Sequence, residues 1–224
     1  MKLGVLYSGG KDSTLALLKA KEFHKIACLI TLVSANKESY MFQTPNVHMT
    51  ELQAEAMGLP LVSVATEGEK ELELIDLKRA IAEAVSKHRI EGIVTGAVRS
   101  TYQASRIQRI CHELGLWCFN PLWLMDQVAL LDEIVKAGIV AIISGVFAEP
   151  LDKSFLGKVI DKAMAGRLAA AAETHGINPA GEGGEIETTV LHAPGFKKSI
   201  IVKKSYASFD GSSGVYHIHE AELK

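Results

Sequence analysis

One short stretch, Tyr7-Ser8-Gly9-Gly10-Lys11-Asp12-Ser13, constrains this chain more than any other. An apolar run over residues 3–7 precedes it and reads as a buried strand; residues 15–23 follow and read as a helix. Strand, glycine turn and helix N-terminus together make an anion site. The glycines allow a sharp turn that brings backbone N–H groups close to a ligand, and the helix adds unpaired donors and the positive end of its dipole. Lys11 and the hydroxyls of Ser8 and Ser13 add phosphate contacts. The plain alternative is a glycine-rich turn with a helix cap, since Asp12 or Ser13 caps a helix in any case. The common phosphate loop is excluded, because Val5 stands where its first glycine belongs and Asp12 follows the lysine. No Gly-x-Gly-x-x-Gly follows a predicted strand, so a dinucleotide site has no support.

The rest of the first half alternates. Strands are expected at 26–33, 61–65, 93–97 and 116–119, and helices at 50–57, 71–88 and from the Ser100 cap to Gly115. Such alternation implies a parallel sheet covered on both faces, with right-handed crossovers. Residues 34–46 are polar and irregular, contain Tyr40, Met41 and Phe42, and start at a strand's carboxyl end, where open α/β sheets bind ligands; they are expected to form a lid or substrate loop. After Pro121 the pattern changes. Helices are expected at 128–137 and 158–175, a strongly apolar strand at 139–147, and strands at 186–192, 199–205 and 215–219 joined by antiparallel connections. The division expected is 1–120 as the nucleotide-binding domain and 121–224 as a smaller α+β domain.

Composition excludes several classes. A net charge of -2 gives no global basic footprint for nucleic acid. No signal peptide is evident and no apolar run is long enough to span a bilayer, so the expected compartment is the cytoplasm. Cys28, Cys111 and Cys118 form no C-x-x-C pair, which argues against a disulfide framework or zinc site; all three read as packed residues.

Three stretches can carry chemistry. Asp12 can hold magnesium beside a polyphosphate, with a plain helix cap as the alternative. Gly96 ends a strand at the ligand edge, and Arg99, Gln103 and Arg106 fall at helical spacing on one face, where spacing alone favours a solvated face. Residues 178–188 pack Glu182, Glu185 and Glu187 among Gly181, Gly183 and Gly184. Clustered carboxylates repel unless a cation offsets them, so this loop suits an ammonium, a cationic substrate or magnesium, or else forms an exposed acidic turn. Alternation along a strand puts Glu185 and Glu187 on one face.

Ser-Gly-Gly-Lys-Asp-Ser resembles the loop of the N-type ATP pyrophosphatases (the adenine nucleotide alpha hydrolase superfamily), which cleave ATP between its α- and β-phosphates. The chain as a whole resembles the diphthine–ammonia ligase family in its compact archaeal form. The resemblance runs through Ser39-Tyr40-Met41-Phe42, the segment Gly96 to Gln103 with Arg106 and Cys111, Leu122-Trp123 with Asp126-Gln127, and Asn178 with Gly181 to Thr188. Gln43, Met125, Ala180 and Ile186 depart from the family's pattern.

This resemblance implies an α/β fold: a five-stranded parallel HUP-like (Rossmann-like) sheet with a second, smaller α+β domain. It also implies an ATP-dependent amide-forming ligase that converts diphthine on translation elongation factor 2 to diphthamide. ATP and magnesium would serve, ammonia would supply the nitrogen, and AMP and pyrophosphate would leave. Residues Ser8, Gly9, Gly10, Lys11, Asp12 and Ser13 would then hold the phosphates, with Thr31, Leu32, Val33 and Gly96 at the adenosine. Tyr40, Gln103, Arg106, Asn178, Gly183 and Gly184 would bind the acceptor, and Lys11, Asp12, Glu182, Glu185 and Glu187 would carry the chemistry. The partners expected are the diphthine-bearing factor and ammonia, with no membrane, no nucleic acid required, and a homodimer as the assembly to test. Two other readings are a tRNA-modifying adenylase, such as a thiolase, and a non-catalytic ATP/AMP-binding module.

Overall fold

The structure is a computed structural model that describes residues 1–34, 45–68 and 71–224. The expected lid, with Tyr40, falls mostly outside the described residues.

Five strands form the first sheet: β1 (Lys2–Leu6), β2 (Lys25–Ser34), β3 (Leu61–Thr66), β4 (Gly92–Val94) and β5 (Trp117–Phe119). Every pairing is parallel and the order is β3-β2-β1-β4-β5. Helices α1 (Lys11–Lys21), α2 (Met49–Met57), α3 (Glu73–His88) and α4 (Thr101–Glu113) connect them. The stripe Leu77, Ala80, Ile81 and Ala84 of α3 joins Ile107, Ile110 and Cys111 of α4 on one face, while α1 and α2 bury Leu15, Leu17, Met49 and Ala54 on the other. This is the expected parallel sheet covered on both sides. Its order reverses between β1 and β4, so the chain leaves the carboxyl ends of these neighbours in opposite directions and opens a crevice there.

The remaining elements are α5 (Gln127–Lys136), β6 (Val140–Val146), α6 (Lys162–His175), β7 (Ile186–His192), β8 (Ile200–Phe209) and β9 (Gly214–Leu223). The second sheet has the order β7-β6-β9-β8 and is antiparallel throughout, as the turn signals suggest. Its buried residues Ile142, Ile143, Val146, Ile186 and Val190 share one hydrophobic core with α1, α2 and α5.

Several boundaries differ from the sequence expectation. Helix α1 begins at Lys11 rather than residue 15, because the Gly10 carbonyl already accepts the Thr14 N–H at 3.2 Å. Strand β4 stops at Val94: the Thr95 N–H still reaches Phe119 O of β5, but Thr95 Oγ1 accepts the Ala97 N–H and donates to Asn120 Oδ1, so the backbone turns away beyond it. Arg99 therefore precedes α4 and is not on a helix face with Gln103 and Arg106; Ser100 is the cap, accepting the Gln103 N–H. Helix α6 starts at Lys162, because Val159 pairs with Ile142 of β6 and Asp161 caps the helix through the Met164 N–H. Strands β8 and β9 each run to ten residues, longer than the apolar patterning suggests.

Candidate functional site at the switch point of the parallel sheet

The crevice between β1 and β4 is lined by the glycine turn and by the β4–α4 connection. Gly9 adopts φ +82, a left-handed conformation that glycine reaches without strain. Gly10 then caps α1 in extended conformation. Gly96 faces this helix start so closely that a Cβ would lie 2.8 Å from the Ser13 nitrogen. The hydroxyls of Ser8 and Ser13 stand 3.3 Å apart at the same place. Two helix N-termini, those of α1 and α4, thus open toward one crevice, and their unpaired donors and dipoles favour an anion.

The acidic glycine-rich loop of the C-terminal half closes over this turn. Lys11 is 2% exposed, and its Nζ donates to Ala180 O at 2.5 Å and to Asp12 Oδ2 at 2.8 Å. The Lys11 N–H donates to Thr188 Oγ1 at 3.1 Å. Glu182 Oε1 accepts the N–H groups of Arg99 and Ser100 at 2.9 and 2.7 Å, so its carboxylate sits on the amides that lead into α4. Burial pushes the Glu182 carboxyl above the usual range, against the pull of those amides; the Asp12 charge pushes it further up and Lys11 opposes it. Asp12 Oδ1 is buried and accepts no hydrogen bond from any described residue. An orphaned carboxylate oxygen beside a phosphate-type turn suits a divalent cation.

The loop is itself braced. Glu185 lies one residue ahead of β7, and its carboxylate turns back to accept the Asn178 N–H, the Asn178 amide and the Gly183 N–H at 2.7–2.9 Å. Asn178 Oδ1 accepts from Gln127 Nε2, and Gln127 Oε1 accepts the Ala180 N–H. A Cβ on Gly183 would meet Asn178 Nδ2 and Glu185 Oε1 at 2.7 Å. Glu185 is thus the internal brace of the loop, and Glu182 is the carboxylate that reaches across to the first sheet.

Models of two protein families match the chain: the Diphthamide synthase N-terminal domain over residues 1–118 and the Diphthamide synthase C-terminal domain over residues 126–223. Among curated proteins, the diphthine–ammonia ligases of Bos taurus and Homo sapiens are each 36% identical over 249 residues, covering 100% of this chain and 92% of the relative. The chain belongs to the diphthine–ammonia ligase family. The same-named protein of Saccharomyces cerevisiae is 29% identical, and the match covers 100% of this chain but 37% of that one. A solved structure from Methanocaldococcus jannaschii, described as a predicted subunit of tRNA methyltransferase, aligns with 87% of this chain and 98% of its own at a TM-score of 0.46 and 18% identity.

Within this family member, the residues singled out from sequence divide by location. Ser8 to Ser13, Gly96, Asn178 and Glu182 to Glu185 meet at the crevice, and Glu187 adjoins the Thr188 that receives the Lys11 N–H. Thr31 is buried with its hydroxyl donating to Tyr7 O at 2.6 Å, and Leu32 is buried in the core under α3 and α4. Arg106 is held away by Glu71, with its guanidinium 3.6 Å from the Tyr102 ring centroid. Cys28 and Cys111 are buried as expected, whereas Cys118 is half-buried. Sequence reasoning gave no role to Gln53, Thr188 or Gln127 in the site. Gln127 and Thr188 each stood inside a stretch quoted for the resemblance, whereas Gln53 carried no such signal.

Proposed function

We propose that this protein uses ATP to amidate diphthine on translation elongation factor 2, with ammonia as nitrogen source. The observation that carries the reading is the meeting of the glycine turn with the acidic loop through Lys11 and Ala180 O, supported by the names of the full-length relatives. The phosphates of ATP lie against the N–H groups of the glycine turn and α1, with Ser8, Lys11 and Ser13. The substrate carboxylate attacks the α-phosphorus, the bond to the bridging oxygen breaks, and pyrophosphate leaves. Negative charge builds on the phosphate oxygens, and the preorganised donors of the turn stabilise it without rearrangement. Asp12, with its orphaned buried oxygen, is the residue suited to magnesium, which would neutralise polyphosphate charge when bound.

The acidic loop serves the second half-reaction. Its carboxylates attract ammonium to the mouth of the crevice. Glu182 acts as its carboxylate, which burial makes more basic, and accepts the proton that the nitrogen releases as ammonia attacks the acyl carbon and AMP departs. Asn178, Gly183 and Gly184 shape the acceptor side. Gln103 serves the acceptor, and the backbone of Thr31 to Val33 with Gly96 serves the adenosine, whereas Arg106 is committed to Glu71.

Incubating the protein with ATP, ammonium and diphthine-bearing factor tests the reading. The expected result is stoichiometric AMP, together with the mass change of a carboxylate becoming an amide on the factor. AMP without that mass change, or no AMP at all, rejects it.

A further inference from the structure

Gln53 sits in the middle of α2 and is completely buried. A buried primary amide must place its donors, and this one places both on main-chain carbonyls: Nε2 lies 3.0 Å from Gly9 O and 2.7 Å from Val190 O. Both partners are acceptors only, which fixes the nitrogen on that side of the amide. Gly9 O also accepts the Val190 N–H at 2.9 Å. The carbonyl of Gly9 is therefore held from two directions, by a helix of the first half and a strand of the second.

A carbonyl and the N–H of the following residue point in opposite directions within one trans peptide plane. Holding Gly9 O against α2 and β7 turns the Gly10 N–H the other way, toward the crevice. Among the described residues its hydrogen bond is to Ser8 Oγ at 3.4 Å, too long for a strong bond, which leaves this donor available to a ligand. Gln53 Oε1 has no hydrogen-bond partner among the described residues and lies against Gly9, where a Cβ would approach to 2.6 Å. Glycine at 9 and glutamine at 53 thus form one fitted unit.

We propose that Gln53 is a positioning residue that aims the Gly10 N–H at a bound phosphate while touching no substrate itself. This rests on the reading of the glycine turn as the phosphate site. Leucine at 53 fills a similar volume and leaves Gly9 O held by the Val190 N–H alone, so its peptide is less firmly oriented.

The test uses the full chain as wild type, Gln53→Leu and Gln53→Met, with inorganic pyrophosphate and adenosine as separate calorimetric probes. Pyrophosphate affinity should fall about tenfold in both variants, the worth of one well-placed hydrogen bond to a charged acceptor, while adenosine affinity stays within about twofold. In wild type with ¹⁵N-labelled glycine, the Gly10 amide resonance should move on adding pyrophosphate, a readout independent of whether either variant folds. An unmoved Gly10 amide, pyrophosphate affinity equal to wild type in a folded variant, or parallel loss of both ligands overturns the role of Gln53. If wild type binds no pyrophosphate at all, the phosphate reading itself fails, a result distinct from the other three.

Discussion

Lys11 carries a charge in a place that almost excludes water, and a buried ammonium is tolerated only when paired and hydrogen-bonded. Asp12 Oδ2 and Ala180 O provide both conditions. Lys11→Met keeps the length of the side chain but removes both the charge beside the glycine turn and the tether to the acidic loop. AMP formation should drop on the order of a hundredfold or more, as when a preorganised donor to a developing oxyanion is deleted; chromatographic measurement of AMP release checks this. Glu182 offers a pH signature. Its carboxyl is lifted above the ordinary value by burial, so it binds a proton more tightly in the folded than in the unfolded chain. The stability it contributes is complete below the unfolded pKa, about 4.3, and is lost as pH rises through the higher folded value. Glu182→Gln keeps an acceptor for the Arg99 and Ser100 amides without the charge. The melting temperature of the variant should therefore gain on that of wild type as pH rises through this window. A gap that stays constant, or shrinks, contradicts the assignment.

At the scale of elements, the alternation of the first half was readable because each strand is an apolar run closed by a turn residue and each long helix carries a single apolar stripe. What sequence could not show were boundaries set by distant pairings. Lys158, Val159 and Ile160 lead into an alanine-rich stretch and suit a helix locally, yet Lys158 O and the Ile160 N–H bond to Ile143 and Ala141 of β6. Asp161 is then the true cap. Asp161→Ala should lower stability by about 1 kcal/mol in urea unfolding, and Lys158→Ala by less than about 0.5 kcal/mol; equal losses would return the helix start to residue 158. In the site, the glycine turn and the acidic loop were legible because glycine and clustered charge are rare patterns. Gln53 was not, because a glutamine on a helix looks like a solvated residue until β7 is known to lie across it. Gly96 was legible as lying at the ligand edge, though it sits two residues past the end of β4 rather than in it, and its closeness to α1 was not legible. Its absent Cβ lets the β4–α4 connection lie against the first turn of α1. Gly96→Ala must displace backbone there, and ATP affinity measured by titration should fall on the order of tenfold to a hundredfold.

For the whole molecule, the two sheets divide the chain near α5 but the hydrophobic core does not divide with them. Leu15, Leu17, Met49 and Ala54 of α1 and α2 pack in the same cluster as Leu130, Ile143, Ile186 and Val190. Polar ties cross at the same level: Gly9 O to the Val190 N–H, the Lys11 N–H to Thr188, and Lys197 N–H to Ala56 O. Removing residues 121–224 would expose one face of α1 and α2 and release the Gly9 carbonyl from one of its two anchors. Units that share a continuous core open together rather than in sequence. Calorimetry of the full chain should therefore give one cooperative transition, shifted upward by pyrophosphate because the ligand binds the folded chain alone. A fragment of residues 1–120 should neither bind pyrophosphate measurably nor melt cooperatively. Two separable transitions in the full chain, with pyrophosphate raising only one of them, would mean that the glycine turn is shaped by the first sheet alone. The Lys11 and Gly9 ties to the second half would then be consequences of the site's geometry rather than causes of it.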